Sequence, residues 1–356
     1  MRVWIDILTP KQALFFNHLI EDLKIRSHEV LPTSRHYREA NQLAKKIGLD
    51  AVIIGEHGGG SLYGKLSTSS KRIGLLADLI NEWKPCCAVS FSSPECARVA
   101  YGLGIKHICV NDSPHAQSVA RLTIPLSEIL LTPWIIPYSA WTRYGISQNN
   151  IIRYKALDPA AWLKRKKFHE SKSLDLPVDR SKKTLTIRLE ESFASYLLES
   201  NEEWSDKLLK GVADRYQDKN IVVLCRYEQQ LSKILESYGD RFIVPREVVM
   251  GSDLLKYTDV FIGMGGTMNA ESALMGIPTI SAYRGKDTYV ESYLIKKGLL
   301  VKPRTVKGVL DCIEDLMNER KKFQITRKAE GLLNKMEDPI KKIASIVERE
   351  GSKANL

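Results

Sequence analysis

The sequence predicts an α/β protein built from two Rossmann-like domains that face a cleft. Its 356 residues exceed what one ordinary hydrophobic core holds. Strand-like and helix-like segments alternate through the first half, and the same alternation restarts after a change of texture near Leu157. With 44% hydrophobic and 27% charged residues, the composition is that of a globular protein.

The N-terminal domain, residues 1–160, has the pattern of a parallel sheet covered on both faces. Apolar residues recur at helical spacing between Gln12 and Arg26, which predicts a helix there, and a second helix is predicted near Pro94 to Leu103. The predicted strands are Arg2–Leu8, one that starts at Glu29, Ala51–Gly55, Ala88–Ser92, His107–Asn111 and Glu128–Thr132.

A basic linker is predicted over residues 161–183, where lysines and serines lead to Leu176-Pro177. The C-terminal domain, residues 184–336, follows it, and residues 337–356 form an amphipathic helix that is expected to pack back on the first domain. The predicted elements of this second half are helices near Glu203–Tyr216 and Glu228–Tyr238, and strands Thr184–Leu189, Ile221–Cys225, Phe242–Val244, Asp259–Gly263 and Thr279–Ala282.

The formal net charge of +11 indicates an anionic partner. Basic residues are not accompanied by an RNP-like or helix-turn-helix pattern, so we expect no nucleic acid; phosphorylated small molecules and an anionic membrane face stay open. No apolar run reaches the roughly 18 residues of a membrane span, and the N-terminus leads directly into a strand, which favours a cytoplasmic protein. The six cysteines form no CxxC pair, so we predict reduced thiols and neither a metal site nor a cofactor.

The most informative segment is a glycine turn between an apolar strand and a helix that ends at Gly276. Its glycines permit close backbone approach, and the amides at the helix start suit a diphosphate. The predicted nucleotide-sugar ligands here are Gly265, Gly266, Thr267 and Met268. Glu271, one turn later, is placed to accept hydrogen bonds from ribose hydroxyls. The alternative is that Glu271 only favours the helix dipole, and with Thr267 as N-cap a capping box would need its acid at position 270 instead.

Four loops of the first half follow strands and are expected to open onto the cleft. The first contains Lys11 at a helix start, the third Ser92 before another helix start, and the fourth Asn111 directly after a strand. In the second loop, three consecutive glycines imply backbone that bends or admits a close neighbour, although a merely flexible loop fits equally. That loop comprises His57, Gly58, Gly59, Gly60 and Ser61.

Asp112 and His115 lie three residues apart on the fourth loop, where a carboxylate and an imidazole suit general-base work on a hydroxyl. An Asx-turn with His115 exposed is the alternative. In the second half, Arg188 and Glu190 end one strand and Arg226 ends the next. Arginine at the carboxyl end of a strand suits a diphosphate, and a surface salt bridge is the competing interpretation.

As a set, these residues resemble the glycosyltransferases of the GT-B architecture and the UDP-N-acetylglucosamine 2-epimerases, and most of all an archaeal group described as domain of unknown function, family 354. The resemblance covers essentially the whole chain. It rests on the opening strand with Asp6, on His28-Glu29-Val30, on His57 to Ser61, on Ser92 to Ala100, on Asn111-Asp112 with His115, and on Gly265-Gly266-Thr267 with Glu271.

The resemblance implies a UDP-linked sugar at the glycine turn and a sugar-nucleotide-dependent glycosyltransferase. Asp112 or His115 would be the base, and backbone amides with Arg188 or Arg226 would hold the leaving diphosphate without a metal. A lipid-linked or glycan acceptor at the inner face of a membrane fits the charge. Epimerases differ in the turn after the first strand, here Leu8 to Gln12, and in a catalytic carboxylate that would fall near Ser92 or Ser93. An epimerase-like enzyme and a non-catalytic binding subunit are the alternatives.

Overall fold

The computed structural model describes residues 1–165, 176–190 and 201–353. The chain divides into two compact units. Unit 1 consists of Met1–Lys164 with the segment from Met336 onward, and unit 2 consists of the described residues between Arg165 and Lys335. Within the described ranges, no helix is long and apolar enough to cross a membrane.

Unit 1 contains a seven-stranded sheet in which all strands are parallel, in the order β3-β2-β1-β4-β5-β6-β7. The four central strands are almost entirely buried, as expected where helices cover both faces of a sheet, and the edge strand that ends at Glu56 is partly exposed. Their bounds are β1 (Arg2–Ile7), β2 (Glu29–His36), β3 (Val52–Glu56), β4 (Cys87–Ser90), β5 (Lys106–Val110), β6 (Ile129–Pro133) and β7 (Ile151–Tyr154).

Three helices of unit 1 begin where the sequence supplies a side-chain cap. Thr9 accepts a hydrogen bond from the Gln12 amide and Pro10 follows it, so the first helix starts directly after β1. Ser61 and Ser93 cap two further helices in the same way. The α-helices of unit 1 up to residue 164 are α1 (Pro10–Ile25), α2 (Arg38–Lys46), α3 (Leu62–Trp83), α4 (Pro94–Gly102), α5 (Gln117–Thr123), α6 (Ser139–Thr142) and α7 (Ala160–Leu163).

Unit 2 contains a five-stranded parallel sheet in the order β12-β11-β10-β8-β9. Its strands are β8 (Thr184–Arg188), β9 (Asn220–Leu224), β10 (Val260–Gly263), β11 (Thr279–Ser281) and β12 (Leu300–Val301). Its helices are α8 (Asn201–Arg215), α9 (Glu228–Tyr238), α10 (Gly251–Leu255), α11 (Thr267–Leu274), α12 (Tyr289–Lys296), α13 (Val306–Leu316) and α14 (Glu319–Lys335). The last helix, α15 (Pro339–Ser352), belongs to unit 1, where it packs on α1.

Both sheets reverse their strand order at an internal point. In unit 1 the chain proceeds from β1 to one side and then crosses back to β4, and in unit 2 it does the same between β8 and β10. Ligands of open α/β sheets bind at the carboxyl ends of the two strands that flank such a point. The residues that follow β1, β4, β8 and β10 are therefore the places to look for a site.

The structure differs from the sequence prediction in several places. The strand predicted at Phe242–Val244 is a single bridge between Ile243 and Val222, because a 3-10 turn ends at Arg241 and Pro245, which has no amide proton, follows. The strand predicted to reach Ser92 ends at Ser90, since Ser92 has a φ of +53°. Strand β7 and helices α2 and α3 were not predicted.

The segment predicted as a basic linker contributes to both units at its ends. Trp162 is fully buried in unit 1, and Leu176 and Val178 pack against Val222 and Leu224 in unit 2. Burial of these apolar side chains stabilises the fold, so the ends of the predicted linker pack on the units. The predicted linker residues 166–175 lie outside the described residues.

Candidate functional site

The glycine turn of unit 2 lies between β10 and α11, at the point where the strand order reverses. Gly265 and Gly266 have φ angles of +99° and +93°, which side chains rarely adopt. The N-cap of α11 is Gly266, not Thr267 as predicted, and no side chain caps the first turn of the helix. Helix α11 therefore begins with amides that an anion can reach.

Arginines predicted from the ends of β8 and β9 lie beside this turn. A Cβ added to Gly266 would lie 3.2 Å from Nη2 of Arg226, whose Nε donates to the Leu189 carbonyl at 3.2 Å. Nη1 of Arg188 donates to the Cys225 carbonyl at 3.3 Å. Glu190 accepts a hydrogen bond from Ser205 at 3.4 Å. The structure thus brings the two arginines to the neighbourhood of the open helix start, an arrangement that suits a diphosphate.

Glu271 is buried, with 5% of its surface exposed, on the face of α11 that meets α10. A Cβ added to Gly251, the first residue of α10, would lie 3.1 Å from Oε2 of Glu271, so a larger residue there would crowd the carboxylate. Met268 packs against the core formed by Leu254, Leu255 and Phe261. Its side chain is a packing group, and only its backbone amide belongs to the turn.

The corresponding edge of unit 1 has a different chemistry, centred on Lys11. Nζ of Lys11 lies 2.7 Å from Oδ2 of Asp112 and 2.6 Å from Oδ2 of Asp158, and 4.1 Å from the centre of the Phe91 ring. Lys11 stands in the first turn of α1, Phe91 follows β4, Asp112 follows β5, and Asp158 follows β7. One cation thus holds together loops from four strands, and two carboxylates flank it.

Asp158 is not among the site residues that the sequence predicted. Its side chain is 1% exposed, and Oδ1 accepts a hydrogen bond from the Tyr154 hydroxyl at 2.5 Å. Burial, with the neighbouring charge of Asp112, raises the pKa of Asp158 to about 7, although Lys11 opposes this. Burial would also raise the pKa of Asp112, but the charge of Lys11 and hydrogen bonds from Asp158, Lys11 and Ser113 lower it to about 2.

The two carboxylates therefore share a proton close to neutral pH and titrate as a pair. Asp112 is the more exposed member, with 16% of its side chain accessible. An acceptor hydroxyl that meets this edge would meet Asp112 first, and the pair would take its proton with an apparent pKa near 7. That value suits a general base far better than the low pKa of Asp112 alone.

The remaining residues of this edge have structural partners. Asn111 accepts the Ser113 amide at 2.7 Å in an Asx-turn, so Asn111, not Asp112, closes the loop. Its amide nitrogen donates to Ser92 Oγ at 2.5 Å, which stabilises the left-handed backbone of Ser92. His115 is exposed on the turn before α5, whereas Asp112 lies in the ion pair.

The His57–Ser61 loop is packed on the start of α3. A Cβ on Gly58 would lie 2.6 Å from Cα of Lys65, so this glycine permits close approach of helix and loop. Gly59 supplies the bend with a φ of +67°, and Ser61 is the N-cap of α3. His57 stacks on Tyr37 with ring centres 4.8 Å apart, and its Nδ1 accepts the Gly59 amide at 3.2 Å. We find a loop with defined contacts and no contact between it and the Lys11 cluster among the described hydrogen bonds and ion pairs.

Several solved structures share the fold of this chain. The UDP-GlcNAc 2-epimerase of Neisseria meningitidis, bound to UDP-GlcNAc, is 15% identical and aligns with a TM-score of 0.76 over 99% of this chain and all of its own. The Methanocaldococcus jannaschii UDP-GlcNAc 2-epimerase in complex with UDP-GlcNAc and UDP is 15% identical. It aligns with a TM-score of 0.75 over 98% of this chain and all of its own. The spinosyn rhamnosyltransferase SpnG is 15% identical and aligns with a TM-score of 0.64 over 99% of this chain and all of its own. The fold is that shared by UDP-GlcNAc 2-epimerases and GT-B glycosyltransferases.

The chain belongs to the family described as protein of unknown function DUF354, whose model matches residues 1–348. An uncharacterized protein of Methanocaldococcus jannaschii, MJ0665, is 30% identical over 328 residues, which are 89% of this chain and 92% of that protein. The family and the fold expected from the sequence are thereby confirmed.

Proposed function

We propose that this protein is a glycosyltransferase that takes a sugar nucleotide, with a UDP-sugar as the donor, and works without a metal. The observation that carries the proposal is the start of α11, where Gly266 caps the helix without a side chain and Arg226 stands beside it. These groups offer the leaving diphosphate a helix dipole and a cation. The solved relatives with UDP or UDP-GlcNAc bound support a nucleotide sugar as ligand.

In this proposal the Asp112–Asp158 pair removes the proton of the acceptor hydroxyl. The hydroxyl oxygen attacks the anomeric carbon of the donor, the bond from that carbon to the diphosphate breaks, and the proton moves to the pair through Asp112. Lys11 holds the pair together and keeps its net charge low. His115, which is exposed, is the second candidate base.

A 2-epimerase is the second candidate function, and the same carboxylate pair favours it. An epimerase needs a base and an acid, and here one carboxyl is ionised while its neighbour holds a proton near neutral pH. Incubation with UDP-GlcNAc and no acceptor separates the functions. A change of configuration at the sugar indicates the epimerase, and an unchanged donor that is consumed only when acceptors are added indicates the transferase.

Donor binding is tested by thermal unfolding of the wild type with uridine, adenosine and guanosine diphosphates and with UDP-sugars. A ligand at 100 times its dissociation constant stabilises the fold by about 2.7 kcal/mol. We expect a uridine ligand to stabilise the wild type, and the shift to shrink in Glu271→Gln. Glu236→Gln, on the exposed face of α9, is the matched control and should keep the full shift. No stabilisation of the wild type by any nucleotide would overturn the proposed function.

A further inference from the structure

An arginine at the end of β2, Arg35, is half-buried and has no protein partner for its guanidinium among the described residues. Nε of Arg35 is buried and has no hydrogen-bond partner. Within the parts of the chain that the structure describes, no hydrogen bond or ion pair of its guanidinium is found. Nearby Arg72 differs, because it binds Asp6 through Nη1 at 3.0 Å and Nη2 at 2.5 Å and the Ile54 carbonyl through Nε at 2.9 Å. A buried donor left without an acceptor costs stability, so Arg35 is poised for an acceptor that comes from outside the chain.

The charges around Arg35 leave room for an anion. Asp6 and the more distant Glu95 are already engaged by Arg72, at 2.5 Å and 3.8 Å. Burial lowers the pKa of Arg35, and the charge of Arg72 acts in the same direction, while the charges of Glu95, Asp6 and Tyr37 oppose it. The cation of Arg35 is therefore only partly compensated where it stands.

A neutral histidine and a lysine lie beside Arg35. The His57 amide donates to the carbonyl of His36, the residue after Arg35, at 3.1 Å, and a Cβ added to Gly58 would lie 2.6 Å from Cα of Lys65. Burial, followed by the charges of Arg35 and Lys65, lowers the pKa of His57 to about 4. The ring is therefore neutral at physiological pH, and because Nδ1 accepts the Gly59 amide, the proton is on Nε2. His57 thus presents a donor beside two cations. Ser61 already caps α3, so these three side chains, and not the helix end, define the group.

We propose that Arg35, His57 and Lys65 form an anion subsite in unit 1 that holds a phosphate group of the acceptor. This inference rests on the proposed function, since it names the chemical class of the acceptor that unit 1 receives. The planar fork of an arginine matches two phosphate oxygens, and the imidazole N–H and the ammonium supply donors for a third. A phosphate offers three oxygens and up to two negative charges to these groups, whereas a carboxylate offers two oxygens and one charge.

Two sources of such a phosphate have the same chemistry: a soluble phosphorylated sugar or a lipid phosphate headgroup. Three apolar side chains on the first turns of α3, directly after the His57–Ser61 loop, provide a way to distinguish these two sources. Leu62, Tyr63 and Leu66 are 78%, 81% and 68% exposed. The hydrocarbon chains of a lipid phosphate would contact these three apolar side chains. A soluble sugar phosphate would make no use of them.

The test is a titration of the full-length protein, saturated with UDP to occupy unit 2, with two probes. The first probe is glucose 1-phosphate, measured by calorimetry; the second is phosphatidylcholine vesicles with and without phosphatidic acid, measured by co-sedimentation. We expect one of them to bind the wild type, and Arg35→Gln to weaken that binding about tenfold or more, as loss of a charged hydrogen bond does. Arg38→Gln, an exposed neighbour on the same edge, is the matched control and should bind as the wild type does.

Binding of glucose 1-phosphate would assign a soluble acceptor, and binding of phosphatidic acid vesicles that weakens in Leu62→Ser would assign a lipid phosphate. If Arg35→Gln unfolds, Arg35→Lys and His57→Gln take its place, and each should weaken binding while the unfolding temperature is retained. Equal binding by wild type and these variants, or no binding of either probe up to about 10 mM, would overturn the subsite. UDP stabilisation read in the same samples reports separately on the proposed function, because it depends on residues of unit 2.

Discussion

Each unit has a strand–turn–helix segment beside the point where the strand order of its sheet reverses. The two segments differ in how the start of the helix is capped. In unit 1, β4 leads through Ser92, with a φ of +53°, to Ser93, whose side chain caps α4 by accepting the Cys96 amide. In unit 2, β10 leads through Gly265, with a φ of +99°, to Gly266, which offers no side-chain cap to α11.

The difference in N-capping indicates which helix start is the better site for an external anion. A helix start that is satisfied by its own serine has less need of a ligand, whereas one that begins with two glycines leaves amides for a phosphate. Unit 1 instead fills its edge with charged side chains around Lys11, which suits proton transfer. In the proposed function, unit 2 binds the leaving group and unit 1 activates the acceptor.

The largest effect is expected from Lys11→Met, which removes the cation from the unit 1 edge. Asp112 and Asp158 would be left together, buried and without their partner, so we expect a loss of about 3–5 kcal/mol in the free energy of unfolding. Urea denaturation followed by tryptophan fluorescence measures it, since five of the six tryptophans lie in unit 1. Lys24→Met, exposed on the same helix, should change stability by less than about 0.5 kcal/mol. Equal effects of the two substitutions would contradict a role for the Lys11 cluster.

Gly266→Ala tests the open turn of unit 2. The backbone of Gly266, with φ +93° and ψ −179°, is open essentially to glycine alone, so alanine should cost about 1–3 kcal/mol. Its Cβ would also lie 3.2 Å from Arg226, and we expect the stabilisation by uridine nucleotides to disappear. Gly48→Ala has a φ of +72° and no neighbour within 4 Å, so it should lose stability but keep the nucleotide response. A Gly266→Ala protein with an unchanged response would place the nucleotide elsewhere.

An effect of about 1–3 kcal/mol that appears only as the pH changes is expected from Asp158→Asn. The pKa of Asp158 is raised by folding, so its contribution to stability is complete below its unfolded pKa near 4 and is lost as pH rises through about 7. The wild type should therefore lose stability relative to Asp158→Asn between pH 5 and pH 8, as measured by urea denaturation at each pH. Asp112→Asn should show the opposite sign at acid pH, because folding lowers that pKa. Parallel curves for wild type and Asp158→Asn would show that Asp158 holds no proton near neutrality.

Much of the fold could be predicted from the sequence because the signals involved are local. Apolar runs and helical spacing in α1 and α9, and the glycine turn before α11, come from neighbouring residues. The segment Phe242–Val244 was mispredicted because its apolar residues satisfy a strand pattern while Pro245 limits its pairing to one residue. The N-cap of α11 was placed one residue late, since a threonine is the commoner cap.

The sequence by itself determined the two α/β units, the glycine turn and the residue types at the strand ends. Only the tertiary structure decided which of those residues meet. Lys11 reaches Asp112 across 101 positions of sequence, and Asp158 joins them from beyond two further strands. No periodicity records such a contact, because parallel strands bring their carboxyl ends together whatever the length of chain between them. The pKa of Asp158 depends on the same meeting, since a carboxyl that would ionise freely in water is buried here beside a second carboxylate.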